Sequence, residues 1–166
     1  MKKLVFIFVL IILGTHANSQ TKEDILDWIV TQVNTHPVKI PNFYYKYEFN
    51  ASGDNTLVLK SSLLYFAGDK NPYHNPSYET NYLDISDISN IIFKYNETNT
   101  WMIIYTKSKH KKTLKSKNIP EQLSYGNEAN IILGTSINNE NLTKRLKKAW
   151  ADYVRLHGGQ IKKDIY

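Results

Sequence analysis

The first apolar stretch of the chain has no period at all. Leu4 to Leu13 is unbroken hydrophobic sequence, preceded by Lys2 and Lys3 and followed by Gly14 and small polar residues. Ten residues of helix rise about 15 Å, half of what a bilayer core needs, so the run fits a signal-peptide core rather than a spanning helix. Ala17 and Ser19 stand three and one positions before a cut that makes Gln20 the new N-terminus; Thr15 and Ala17 mark a second option that leaves Asn18 first. The expectation is a Sec signal peptide over residues 1–19 and one domain over residues 20–166.

A helical period follows. Ile25, Trp28, Ile29 and Val33 recur at spacings of three and four, with Thr21 as N-cap and Asp24 as a capping-box partner. This predicts a helix over 22–34, ended by Pro37 and Pro41. The period then drops to two. Phe43, Tyr45, Tyr47 and Phe49 alternate with Tyr44, Lys46 and Glu48, which predicts a strand, and residues 51–55 are turn chemistry before a second strand over 56–66. Residues 67–81 read as a loop. Five further short strands are expected at 82–85, 91–95, 100–106, 111–116 and 130–133. The helical period returns in Leu142, Leu146, Ala149, Trp150, Tyr153 and Leu156, predicting an amphipathic helix over 140–157 stopped by Gly158 and Gly159.

Composition narrows the class. The 12 tyrosines and the frequent asparagines suit strands joined by polar turns. There is no cysteine, which excludes a lipidated cysteine anchor, disulfides, zinc-thiolate sites and a cysteine nucleophile. Removing Lys2 and Lys3 from 21 basic residues leaves 19 against 15 acidic ones, a net +4 in the exported part. That surplus is too mild to indicate a nucleic-acid partner.

About seven strands followed by one amphipathic helix with Trp150 on its apolar stripe resembles the pleckstrin-homology-like fold. The resemblance implies an α+β domain: two antiparallel sheets form a half-open barrel and the last helix plugs one end. The chain is also similar to small uncharacterised exported proteins of Bacteroidetes-type bacteria, through Glu23-Asp-Ile-Leu-Asp-Trp28, Leu83-Asp-Ile-Ser86 and the closing segment Arg145 to Gly159. The inositol-phosphate sites of pleckstrin-homology domains do not carry over. Their basic residues lie around the first hairpin, and here that turn is Ser52, Gly53, Asp54 and Asn55.

Two segments are candidate contact sites. Lys107, Lys109, His110, Lys111, Lys112, Lys115 and Lys117 form the densest charge in the chain. Their functional reading is docking of a polyanion, whether lipopolysaccharide phosphate, acidic glycan or nucleic acid; their structural reading is a solvated hairpin or a lysine-guarded edge strand. Tyr73, His74 and Tyr78 belong to the long loop, where tyrosines suit sugar or protein contacts, or pack over the end of the barrel. Lys144, Arg145, Lys147 and Lys148 read as the solvated face of the last helix. The histidines are scattered without metal-ligand spacing, and Asp84 and Asp87 read as partners of local backbone. No nucleophile elbow, phosphate loop or dinucleotide fingerprint occurs. The expectation is a non-catalytic, cofactor-free binding module of the cell envelope, its partner an envelope protein or glycan, with no transmembrane anchor after cleavage. A small envelope hydrolase acting on glycan or ester is the alternative.

Overall fold

Thr21 opens the first helix as its side chain predicts. Its Oγ1 accepts from the Asp24 backbone N–H at 3.1 Å, and the Asp24 carboxylate accepts from the Thr21 N–H at 3.0 Å. This reciprocal box satisfies two donors that a helix start leaves unpaired. In the computed structural model, which describes residues 20–38, 43–53, 55–65, 77–116, 119–138 and 140–162, the helix α1 spans Lys22–Thr35. It buries Ile25, Leu26, Ile29 and Val33. The expected leader, residues 1–19, lies outside the described residues.

The strands are β1 (Phe43–Ala51), β2 (Thr56–Tyr65), β3 (Ser77–Asp84), β4 (Ile88–Tyr95), β5 (Asn99–Ser116) and β6 (Ile119–Gly134). Helix α2 follows at Glu140–Leu156. The fold is α+β, with one open sheet of six antiparallel strands and the two helices packed together over its core face. Among the described residues six strands stand where seven were expected, because the segments 100–106 and 111–116 are one 18-residue strand. Likewise 130–133 is only the end of a 16-residue β6. The predicted loop also ends early, since β3 begins at Ser77.

β5 organises the sheet. β6 pairs with it along both halves. On its other side, β4 pairs with Thr100–Thr106 and β3 with Lys111–Ser116, so β3 and β4 share one flank. A 3₁₀ turn, Ile85–Asp87, carries the chain between them. Asp84 caps this turn, accepting from the Ser86 N–H at 2.9 Å and the Ser86 hydroxyl at 2.7 Å, as expected of a carboxylate bonding local backbone. Asp87 instead reaches across to the Ser108 N–H at 2.7 Å. There Thr106 to Lys109 bulge from β5 opposite Asn127 alone, and Lys107 Nζ donates to the Ser86 carbonyl at 3.3 Å.

The core fills one face of the sheet. Leu57, Leu59, Leu83, Met102, Ile104, Ile131, Leu133, Trp150 and Val154 are fully buried there. Of the predicted stripe on α2, Leu146, Trp150 and Tyr153 are buried, but Leu156 is 38% exposed because it closes the helix beyond the core. Gly158 adopts φ +80°, the left-handed stop expected of it. A Cβ on Gly159 would lie 2.7 Å from the Ser86 carbonyl oxygen, so the chain passes the 3₁₀ turn where only glycine fits.

Tyr47 joins the ends of the sheet. Its hydroxyl donates to the Ile132 carbonyl at 3.0 Å and accepts from the Ile132 N–H at 2.7 Å. The backbone of Tyr47 is met by the Asn34 amide of α1, through bonds of 2.9 and 3.0 Å. Burial pushes the Tyr47 phenol far above its ordinary range, against the pull of Ile132. Two open strand edges, β1 and β6, are thus satisfied by side chains in place of another strand.

Candidate functional site

Side chains alternate between the two faces of a strand, so the register decides which chemistry shares a face. On the outer face, opposite the core, Tyr82 of β3 pairs with Lys111 of β5, and Lys111 pairs with Tyr125 of β6. One row therefore reads tyrosine, lysine, tyrosine. Four residues along the strands, about 13 Å away, Tyr78 pairs with Lys115. On β2 the residue across from Tyr78 is Ser62, and Lys60, which pairs with Thr80, reaches diagonally to hold its ammonium 5.2 Å from the Tyr78 ring centre. Thr80 and Thr113 pair between the rows.

The cations of this face are in different states. Glu48 of β1 meets Lys46 at 3.2 Å and Lys60 at 3.6 Å, and the Lys46 bond, then Lys60, hold its carboxyl below the usual range. Lys111 leans on the Tyr82 ring, 5.1 Å from its centre. Neither Lys111 nor Lys115 has a carboxylate partner among the described residues. Tyr125 is 63% exposed, with neither a ring contact nor a hydrogen bond among them. An exposed aromatic ring beside an unpaired ammonium is equipped to stack on one part of a ligand and neutralise another.

The structure divides the basic segment. Lys111 and Lys115 reach the outer face, and Lys112 the inner one. A Cβ at Gly126 would stand 3.0 Å from Lys112 Cε, so glycine there leaves room for the lysine stem. Lys109 is exposed on the bulge, Lys107 is tied to Ser86, and Lys117 lies outside the described residues. The segment is not a sheet edge, because β5 is flanked on both sides. Tyr73 and His74 also lie outside the described residues. Tyr78 is on a strand, not a loop, and sits across from Lys115. On α2, Lys144 and Lys148 are exposed, while Arg145 stands 5.1 Å over the Trp28 ring and links the helices.

The inner face holds a second polar group beyond the core. Asn81 and His110 are almost fully buried. His110 Nε2 is 3.0 Å from Asn81 Oδ1, and Nδ1 is 3.2 Å from Thr106 Oγ1. Asn81 donates onward to Glu79 Oε1 at 2.9 Å, and Thr106 to the Ser108 carbonyl at 2.7 Å. Burial, then the neighbouring Lys112, pushes His110 down to about 4, so the ring is neutral at pH 7. Its two oxygen partners and the Glu79 carboxylate pull the other way. A neutral ring carries a single N–H, which Nε2 donates to Asn81 Oδ1, and through that bond, with Thr106 packed beside the other nitrogen, His110 braces the bulge of β5 against β3.

Sequence reasoning marked Lys111, Lys115 and Tyr78 but missed Tyr82, Tyr125 and Lys60. The available signal was period two: Tyr78, Thr80 and Tyr82 alternate, as do Lys111, Thr113 and Lys115. Among the described residues no group of three or more His, Asp or Glu side chains is placed to hold a metal, and no helix is long and apolar enough to cross a membrane. Comparison with protein-family models, curated proteins and solved structures gives no match, so the tyrosine–lysine face stands on its own geometry.

Proposed function

We propose that the chain is exported by a cleavable leader and acts as a non-catalytic binding module of the cell envelope, its contact surface the outer face of β3, β5 and β6. The observation that carries this reading is the Tyr82–Lys111–Tyr125 row, with Tyr125 exposed and Lys111 lacking a carboxylate partner among the described residues. The export part rests on the lysines, the ten-residue apolar run and the small residues before Gln20. The fold is read as a pleckstrin-homology-like half-open barrel. Tyr47 bridging β1 to β6 supports the closure, and α2 supports the plug by sinking Trp150 into the core.

The test uses the full chain expressed for export. N-terminal sequencing of the exported protein should begin at Gln20. The protein should be retained by envelope preparations at low salt, and Lys111→Glu with Lys115→Glu should abolish retention. Retention unchanged by this double reversal would remove the outer face from the proposal. An uncleaved leader would remove the export.

A further inference from the structure

Deepening the binding reading above, we infer that the ligand of the outer face is an acidic glycan whose carboxylates are separated by neutral sugars. The argument starts from charge spacing. Along β5 the two unpaired lysines of this face, Lys111 and Lys115, are four residues or about 13 Å apart, with uncharged Thr113 between them. Lys60 and Lys46 add little, because both already meet Glu48. A polymer with a negative charge on every unit would leave most of its charges without a partner here. A polymer with intermittent charges would not.

The aromatic rings supply the rest. Tyr82 and Tyr125 flank Lys111 across two strand spacings, about 10 Å. The C–H face of a sugar ring packs on an exposed tyrosine ring, and the phenol hydroxyl bonds sugar hydroxyls. Tyr125 has the free ring this requires. A carboxylate on the adjoining sugar then falls beside the Lys111 ammonium. Between the rows stand half-buried Thr80 and, across from buried Thr113, the exposed Leu123, an apolar surface for a sugar ring. Sugars stacked on tyrosine and acids held by the two lysines together describe a linear glycan running along β5, from the Tyr82–Lys111–Tyr125 row to the Tyr78–Lys115 pair.

The experiment measures binding of the full exported chain at low salt to a hexasaccharide of alternating uronic acid and N-acetylhexosamine, and to the same hexasaccharide after carboxyl reduction. The expected result is binding of the acidic form and about tenfold weaker binding of the reduced form. Tyr125→Ala and Lys111→Gln should each weaken the acidic form by about tenfold, while Lys144→Gln with Lys148→Gln on α2 leaves it unchanged. Circular dichroism of each variant checks that the fold is kept. Equal binding of both forms, or no binding of the hexasaccharide while envelope is still retained, overturns the acidic-glycan assignment alone. Tighter binding of a single-stranded oligonucleotide overturns it in favour of nucleic acid. Loss of envelope retention as well overturns the binding reading beneath it.

Discussion

The two halves of β5 are the same strand in two environments. From Asn99 to Thr106 its inner side chains, Met102 and Ile104, are fully buried against Ile131 and the helices' core cluster. From His110 to Ser116 the inner side chains are His110, Lys112 and Leu114, and Leu114 is 43% exposed. Both halves are hydrogen-bonded on both flanks. The ladder therefore holds the backbone of each half, whereas an apolar core dictates the inner side chains of the first half only, and the buried residues of the second, His110 and Thr113, are polar. A strand continued past its core can carry charge and aromatic rings on rigid backbone.

The comparison can be broken at three strengths. Truncation in the buried region should be severe: Trp150→Ala removes a fully buried indole and should cost about 3–5 kcal/mol in urea unfolding. A cost below about 1 kcal/mol would mean that α2 does not close the core. Next comes His110, where the polar half touches stability. Its folded pKa of about 4 lies below the unfolded value near 6.5, so the unfolded chain takes up the proton first. Stability from this group is full above pH 6.5, falls as pH drops toward 4 and levels off below it, by about 3 kcal/mol at most. Urea midpoints from pH 7 to 4 should show this slope, reduced in His110→Asn. A midpoint that rises on acidification would mean that the two oxygen partners outweigh burial. The smallest effect belongs to the outer face: Lys111→Gln with Lys115→Gln should shift stability by less than about 0.5 kcal/mol. A larger loss would show the outer face to be structural.

The same difference explains what could be read in advance. Both helices were legible because caps and a 3.6-residue period coincide at Thr21–Val33 and at Leu142–Tyr153. β1 was legible because alternate residues face the core. The outer half of β6, Ile119 to Tyr125, was not, since all its residues are exposed and Pro120 and Glu121 interrupt the alternation of Ile119, Leu123 and Tyr125. Its strand character comes from pairing with β5, a non-local contact that no short window contains. The candidate site was half legible for a related reason. Lys111, Lys115 and Tyr78 announce themselves by type, but the juxtaposition of Tyr78 with Lys115, or of Tyr125 with Lys111, exists only through strand register. Tyr82 was placed on a strand without being recognised as a neighbour of the basic segment.

Tyr47 has a consequence in the order of events. Its hydroxyl meets Ile132, 85 positions later in the chain, so this link cannot form until the β5–β6 ribbon has been completed. Contacts of such separation are made late, after the loop entropy they close has already been spent on other pairings. The tyrosine is then a latch thrown on a nearly finished molecule. Its contribution falls mainly on the unfolding rate, and with it on how long the chain stays folded.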